Sequence, residues 1–160
     1  GLDHLMTQAA RRGLRIVFNP SPIDKSISRL PLGEAWLLIF NEIEGAALAG
    51  CDDEEGILNT LRQRWPRCRL LLTLGSHGCV YDNGQRRLRQ GIYQVGTVDT
   101  TAAGDTFTGY FVACMAAGRP EEECLDLASR AAALAVSRPG AAPSIPTMDE
   151  VQRCTLRRGE

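Results

Sequence analysis

The stretch "VDTTAAGDTFTGYFVACMAAG", residues 98–118, crowds small residues around one carboxylate, Asp105, and runs straight on into a long apolar helix pattern. A carboxylate at such a place has two readings. It can cap the helix by accepting from a backbone N–H of the first turn. It can also take a proton beside a bound anion. The small side chains of Ala102, Ala103 and Gly104 let the backbone approach a ligand closely, and successive N–H groups at a helix start form an anion site. A phosphoryl group in transfer spreads negative charge over its oxygens, so it suits such a cradle. Asp105 would then stand where an attacking hydroxyl gives up its proton. The two roles are compatible.

Outward from this stretch the chain alternates helices and apolar strands. Residues 2–13 predict a helix with Leu2, Leu5, Met6 and Ala9 on one face and Gly13 as its C-cap. "LRIVFNPSP" predicts a buried strand ending in a Pro-rich loop, and "AWLLIFN" a second strand from whose end "EIEGAALAG" opens a helix. "DDEEGILNTLRQRW" has an acidic first turn and a basic last turn, which suits a helix dipole. "RLLLTLG" is a third strand, and "GCVYDNGQRRLRQ" a hairpin around Asn83-Gly84. Beyond residue 118 come a helix over 121–137 with a Leu/Ala stripe for the core, the loop "SRPGAAPSIP" and a last helix. The expected fold is α/β, with a mainly parallel sheet between two helical layers. In such sheets ligands sit at the carboxyl ends of the strands. Asn41 and Glu44, Thr73 to Gly78, and Asp99 to Asp105 all fall there.

Composition narrows the classes. The chain has 160 residues, 44% hydrophobic, with a formal net charge of −1, which describes one globular domain or part of one. No apolar run nears the roughly 20 residues of a membrane span, and no signal-peptide pattern is present, so the expectation is a cytoplasmic protein off the membrane. Lysine and arginine together number 18, of which only Lys25 is lysine. The arginine clusters are balanced by acidic residues and aromatics are few, which reads as a solvated surface with no nucleic-acid partner. Six cysteines are widely spread without a CxxC and mostly lie in apolar runs, as structural reduced thiols do. The two histidines, His4 and His77, sit near no paired cysteines, which argues against zinc. Neither GxxxxGK[ST] nor GxGxxG occurs, which excludes a P-loop and counts against a dinucleotide site.

"VDTTAAGDTFTGYF" resembles the C-terminal signature of the ribokinase-like (PfkB) carbohydrate kinases, nearest the ribokinase branch. "NPSP", the Asn41-x-x-Glu44 spacing, "TLGSHG" and "AAALAVSRPGAAPSIP" follow the same family in the same order. The resemblance implies an ATP-dependent kinase that phosphorylates a sugar hydroxyl, ribose to ribose 5-phosphate first among the candidates. It makes Asp105 the catalytic base, with the N–H groups of Ala103, Gly104 and Asp105 as its anion hole. It implies that Asn41 and Glu44 help hold phosphates and Mg²⁺, largely through water, that Thr73, Gly75, Ser76 and Gly78 line the nucleotide, and that Ser129 lies beside the adenine. It places a K⁺ ion at Asp99, Thr101, Ala135, Arg138, Gly140 and Ser144, several of them offering only a carbonyl. The residues themselves leave plainer roles open. Asn41 and Glu44 could be an ordinary helix start, Asp99 could form a turn with Thr101, and His77 is read as a solvent-facing loop residue.

Family members are about twice this length. The resemblance covers their C-terminal, nucleotide-binding half over residues 1–160, without the N-terminal half, the Gly-Gly hinge or the β-sheet lid through which members often form homodimers. The chain is therefore expected to be a fragment, its C-terminus natural, that binds nucleotide but turns over little. The alternatives are another sugar or nucleoside kinase of the family, or a non-catalytic nucleotide-binding or interaction module.

Overall fold

The computed structural model describes residues 1–24, 27 and 29–159; Lys25 lies outside them. They form two compact units, Gly1–Gly75 with Cys79–Arg89, and Ser76–Gly78 with Gln90 onward.

The first unit is built on a five-stranded sheet in the order β1 (Val17–Phe18), β2 (Leu37–Asn41), β3 (Arg69–Thr73), β4 (Cys79–Asp82), β5 (Arg87–Gln90). β1, β2 and β3 run parallel, and β4 turns back antiparallel to β3, so the hairpin ends an otherwise parallel sheet. Helices α1 (Leu2–Arg11), α2 (Glu42–Ala49) and α3 (Glu54–Arg64) complete it. Leu38, Phe40, Leu70, Leu72 and Val80 meet Leu48, Ile57, Leu58 and Leu61 in one core. The alternate residues Leu37, Ile39, Leu71 and Tyr81 are equally buried, which is why β2 and β3 read as unbroken apolar runs.

Three expectations change here. The strand predicted from "LRIVFNPSP" is only two residues long, with Val17 exposed, because β1 is the sheet's edge strand among the described residues and a proline-rich loop follows it. Of the predicted α1 face only Met6 is buried, while Leu5 is 62% exposed, and the C-cap is Arg12, with Gly13 (φ +72°) just beyond. Two of the arginines read as solvated are structural instead. Arg62 donates to the carbonyls of Cys68 and Asp82 and to Asp82 Oδ1 at 2.6 Å, and Arg87 Nε reaches Asp82 Oδ2 at 2.9 Å. Burial alone would raise the buried Asp82 carboxyl, but bonds from Arg87, the Gly84 N–H and Arg62 outweigh it and lower its pKa.

The second unit pairs two long helices, α4 (Ala103–Ala116) and α5 (Glu121–Val136), joined by a short loop and packed along each other. Phe107 and Phe111 stack on the inner side of α4, and Ala128, Ala131 and Ala135 keep α5 thin enough for close approach. A short α6 (Met148–Arg153) follows, and a two-stranded ribbon, β6 (Tyr93–Gln94) with β7 (Arg157–Arg158), was not expected. Asp126 of α5 accepts from Tyr93 of β6, from Arg130 at 2.7 Å and from Arg158 of β7 at 3.3 Å, tying both strands to the helix.

All six cysteines are free. Burial pushes the Cys68 and Cys124 thiols up to about 11, which makes them inert packing groups, as expected.

Candidate active site

Asn41 and Thr73 are register partners at the carboxyl ends of neighbouring parallel strands, so the two loops that follow leave the sheet side by side. Asn41 is also the N-cap of α2. Its Oδ1 accepts from the Glu44 N–H at 2.9 Å, and Glu44 Oε2 accepts from the Asn41 N–H at 3.0 Å, a complete capping box. Of the two roles the sequence left open, the helix start is thus realised. Glu44 is nevertheless unusual for a cap, being only 5% exposed, and among the described residues no cation pairs with it. A desolvated carboxylate without a countercharge is a suitable neighbour for a hydrated divalent cation. Thr73 Oγ1 lies 3.5 Å from the Phe40 carbonyl oxygen, and Gly75 bends the chain with φ +52°.

Ser76 and His77 follow in an exposed 3₁₀ turn, which bears out the surface reading of His77. Gly78 has a structural reason of its own. It sits at φ +85°, and a Cβ there would come within 2.0 Å of the Gln90 carbonyl oxygen.

The start of α4 is built differently. Its N-cap is Ala102, which has no side chain able to accept, so no side-chain cap exists. Asp105 is the third helical residue and exposed, and among the described residues its carboxylate has no hydrogen-bond or ion-pair partner. The capping role that the sequence allowed for Asp105 is therefore not realised. The Ala103 N–H turns back to the Thr100 carbonyl at 3.2 Å, and the Thr106 N–H bonds the Ala102 carbonyl at 2.9 Å. The N–H groups of Gly104 and Asp105 lie between them, among the first-turn donors that a helix cannot satisfy itself. Beside Gly104 there is open space: an added Cβ would meet nothing within 4 Å.

Immediately upstream, Asp99 forms the turn with Thr101 that the sequence left open as its plainer role. Its Oδ1 accepts from the Thr101 N–H at 2.9 Å and hydroxyl at 2.5 Å, while its Oδ2 accepts from the Gly140 N–H at 3.1 Å. These bonds, the Thr101 hydroxyl's first, hold the Asp99 carboxyl below its ordinary range. Arg138 N–H bonds the Ala135 carbonyl at 3.1 Å, and Ser144 folds onto the Ala141 carbonyl through both its N–H and its hydroxyl. The structure thus gathers Asp99, Thr101 and Gly140 directly, with Arg138 and Ser144 on the same loop as Gly140 and Ala135 in the last turn of α5 before it. These donors are hard oxygens, mostly carbonyls, which fit a monovalent cation better than a transition metal. Among the described residues no group of three or more His, Cys, Asp or Glu could hold a metal ion. Ser129 lies buried on α5. Glu150, which bonds Arg138, was missed, although "TMDE" at 147–150 carries the Thr-x-x-Glu capping signature that could have drawn attention to it.

The family model described as pfkB family carbohydrate kinase matches residues 2–148. The chain belongs to that family. It is 36% identical over 152 residues to the ribokinase of Schizosaccharomyces pombe, a match that covers 89% of this chain and 47% of that protein. It is 33% identical over 127 residues to fructokinase-1 of Oryza sativa, covering 74% of this chain and 39% of that one. Among solved structures, Arabidopsis thaliana ribokinase complexed with ribose and ATP superposes with a TM-score of 0.83 at 31% identity, covering 94% of this chain and 52% of that one. The chain of this pfkB family member spans about half the length, or less, of these relatives. Its α/β architecture is the ribokinase-like one expected from the sequence, and no helix among the described residues is long and apolar enough to cross a membrane.

Proposed function

We propose that residues 1–160 are the C-terminal, nucleotide-binding part of a cytoplasmic sugar kinase that transfers the γ-phosphoryl group of ATP to a sugar hydroxyl, with ribose the preferred acceptor. The observation that carries this reading is the bare start of α4, where Asp105 has no partner among the described residues and Gly104 has open space beside it. Asp105 takes the proton as the sugar oxygen attacks. The N–H groups of Gly104 and Asp105, with Ala103 completing the turn, face the charge that develops on the phosphoryl oxygens. Thr73, Gly75, Ser76, Gly78 and Ser129 line the nucleotide. Glu44 and Asn41 would hold Mg²⁺ through water, and Asp99 with the carbonyls of Thr101, Ala135, Arg138 and Gly140 and the Ser144 hydroxyl would hold K⁺. These ions supply charge neutralisation for the transferring phosphoryl group.

The isolated chain binds nucleotide and turns over little, because orienting the acceptor and excluding water contribute heavily to phosphoryl transfer. The test assays the purified chain, and the protein at the length its gene encodes, with ATP, Mg²⁺, K⁺ and ribose, each beside Asp105→Asn. A gene-length protein that phosphorylates ribose only with Asp105 intact supports the reading. Ordinary turnover by Asp105→Asn overturns it, and ordinary turnover by the 160-residue chain overturns the fragment part. The rice fructokinase relative makes fructose the acceptor to try second.

A further inference from the structure

We propose that Glu150 is a positioning residue that clips both ends of the α5–α6 loop and so pre-shapes the carbonyl cluster read above as the K⁺ site, a reading on which the proposal rests. Its two carboxylate oxygens serve two places. Oε1 accepts from the Arg138 guanidinium at 2.7 Å, at the start of the loop. Oε2 accepts from the Thr147 N–H at 2.7 Å and its hydroxyl at 2.9 Å, at the end of it. A capping box needs only the second set. The first is surplus to the helix and closes the loop on itself.

Between these anchors the loop is pinned twice more, by Gly140 N–H on Asp99 Oδ2 at 3.1 Å and by the Tyr110 hydroxyl on the Pro146 carbonyl at 2.5 Å. Carbonyl dipoles bind an ion well only when they are already oriented, since ordering a loose loop subtracts from affinity. The clip supplies that order from a residue that touches no ion. The bonds from the Thr147 N–H, Arg138 and the Thr147 hydroxyl hold the Glu150 carboxyl down to about 2, so the clip stays charged at any ordinary pH.

The test is an NMR experiment on the ¹⁵N-labelled 160-residue chain, following the Gly140 amide in wild type, Glu150→Ala, Arg138→Ala and Thr147→Val. Arg138→Ala opens the clip while leaving the α6 cap and the residue 138 carbonyl in place, so it speaks even where Glu150→Ala fails to fold. Without K⁺, amide exchange at Gly140 should quicken about threefold or more in Glu150→Ala and Arg138→Ala, and stay within about twofold in Thr147→Val. Unchanged exchange in Arg138→Ala, or equal acceleration in Thr147→Val, overturns the clip. Titration with KCl against choline chloride then reads the cation. The concentration for half the Gly140 shift should rise at least about threefold in the clip variants. A wild-type amide that ignores K⁺ sinks the cation reading, while the exchange measurement still decides the clip. A wild-type response that the variants share unchanged sinks the positioning role and leaves the cation reading standing.

Discussion

Helices α2 and α4 both carry an acidic residue at the third helical position, yet they use it in opposite ways. In α2 the third residue, Glu44, turns back to the Asn41 N–H while Asn41 accepts from the Glu44 N–H, and both hold the helix start. In α4 the cap is Ala102, and the third residue, Asp105, is left without a partner among the described residues. An accepting side chain at an N-cap contributes about 1 kcal/mol, so α4 forgoes a stabilisation that α2 takes. What α4 keeps is a carboxylate and free donors facing outward. The difference teaches that the cap residue decides whether the third-position carboxylate is tied to its own helix start or left uncommitted.

The strongest way to break this comparison is Asp105→Asn. In the catalytically competent protein it should lower kcat about 10²- to 10⁴-fold while costing at most about 1 kcal/mol of stability, since the side chain has no bonding partner among the described residues and supports α4 only through the helix dipole. A marked loss of stability with activity retained would show that α4 needs Asp105 as α2 needs Glu44. Next in size, Asn41→Ala should cost about 1 kcal/mol of stability in urea unfolding, and a change below a few tenths would remove the contrast from the α2 side. Gly104→Ala should move stability and function apart. With nothing within 4 Å of the new Cβ, the chain should gain up to about 1 kcal/mol, while nucleotide affinity measured by calorimetry falls as the methyl enters the anion turn. Unaltered affinity would show that the open space is not used.

The smallest effect concerns a third start, that of α6, where Thr147 and Glu150 form another complete box. Glu150 has its carboxyl lowered from an ordinary 4.5 to about 2 by the Thr147 N–H, the Arg138 guanidinium and the Thr147 hydroxyl. A folded-state pKa below the unfolded one means stability that is fully present above pH 4.5 and lost as pH falls through about 2. Acid unfolding of wild type and Glu150→Gln should therefore differ at pH 6 and converge towards pH 2. Curves separated by the same amount throughout would place the contribution elsewhere.

The parallel strands were legible because residues 37–40 and 70–72 are buried on both faces, a demand that shows in the residues themselves. The edge strand was overread for the complementary reason. "LRIVF" is as apolar as a central strand, but whether a neighbour covers Val17 is no property of the segment. The ribbon of β6 and β7 escaped notice because two-residue strands more than sixty positions apart leave no local pattern. Within the candidate site, residue types were readable but their bonding was not. Nothing in the sequence says that Asp99 meets Gly140, 41 positions away.

What the sequence alone determined is the alternation of helix and strand, the family through "TTAAGDTF", and the chemistry available at Asp105. Those depend on residue type and short-range spacing. The tertiary structure alone decided that Ala102 and not Asp105 occupies the cap, that Gly78 is required by the Gln90 carbonyl, and that Glu150 closes the loop from Arg138 to Thr147. The reason is that a partner's identity is set by which distant atoms packing brings within about 3 Å, a distance no window of sequence measures.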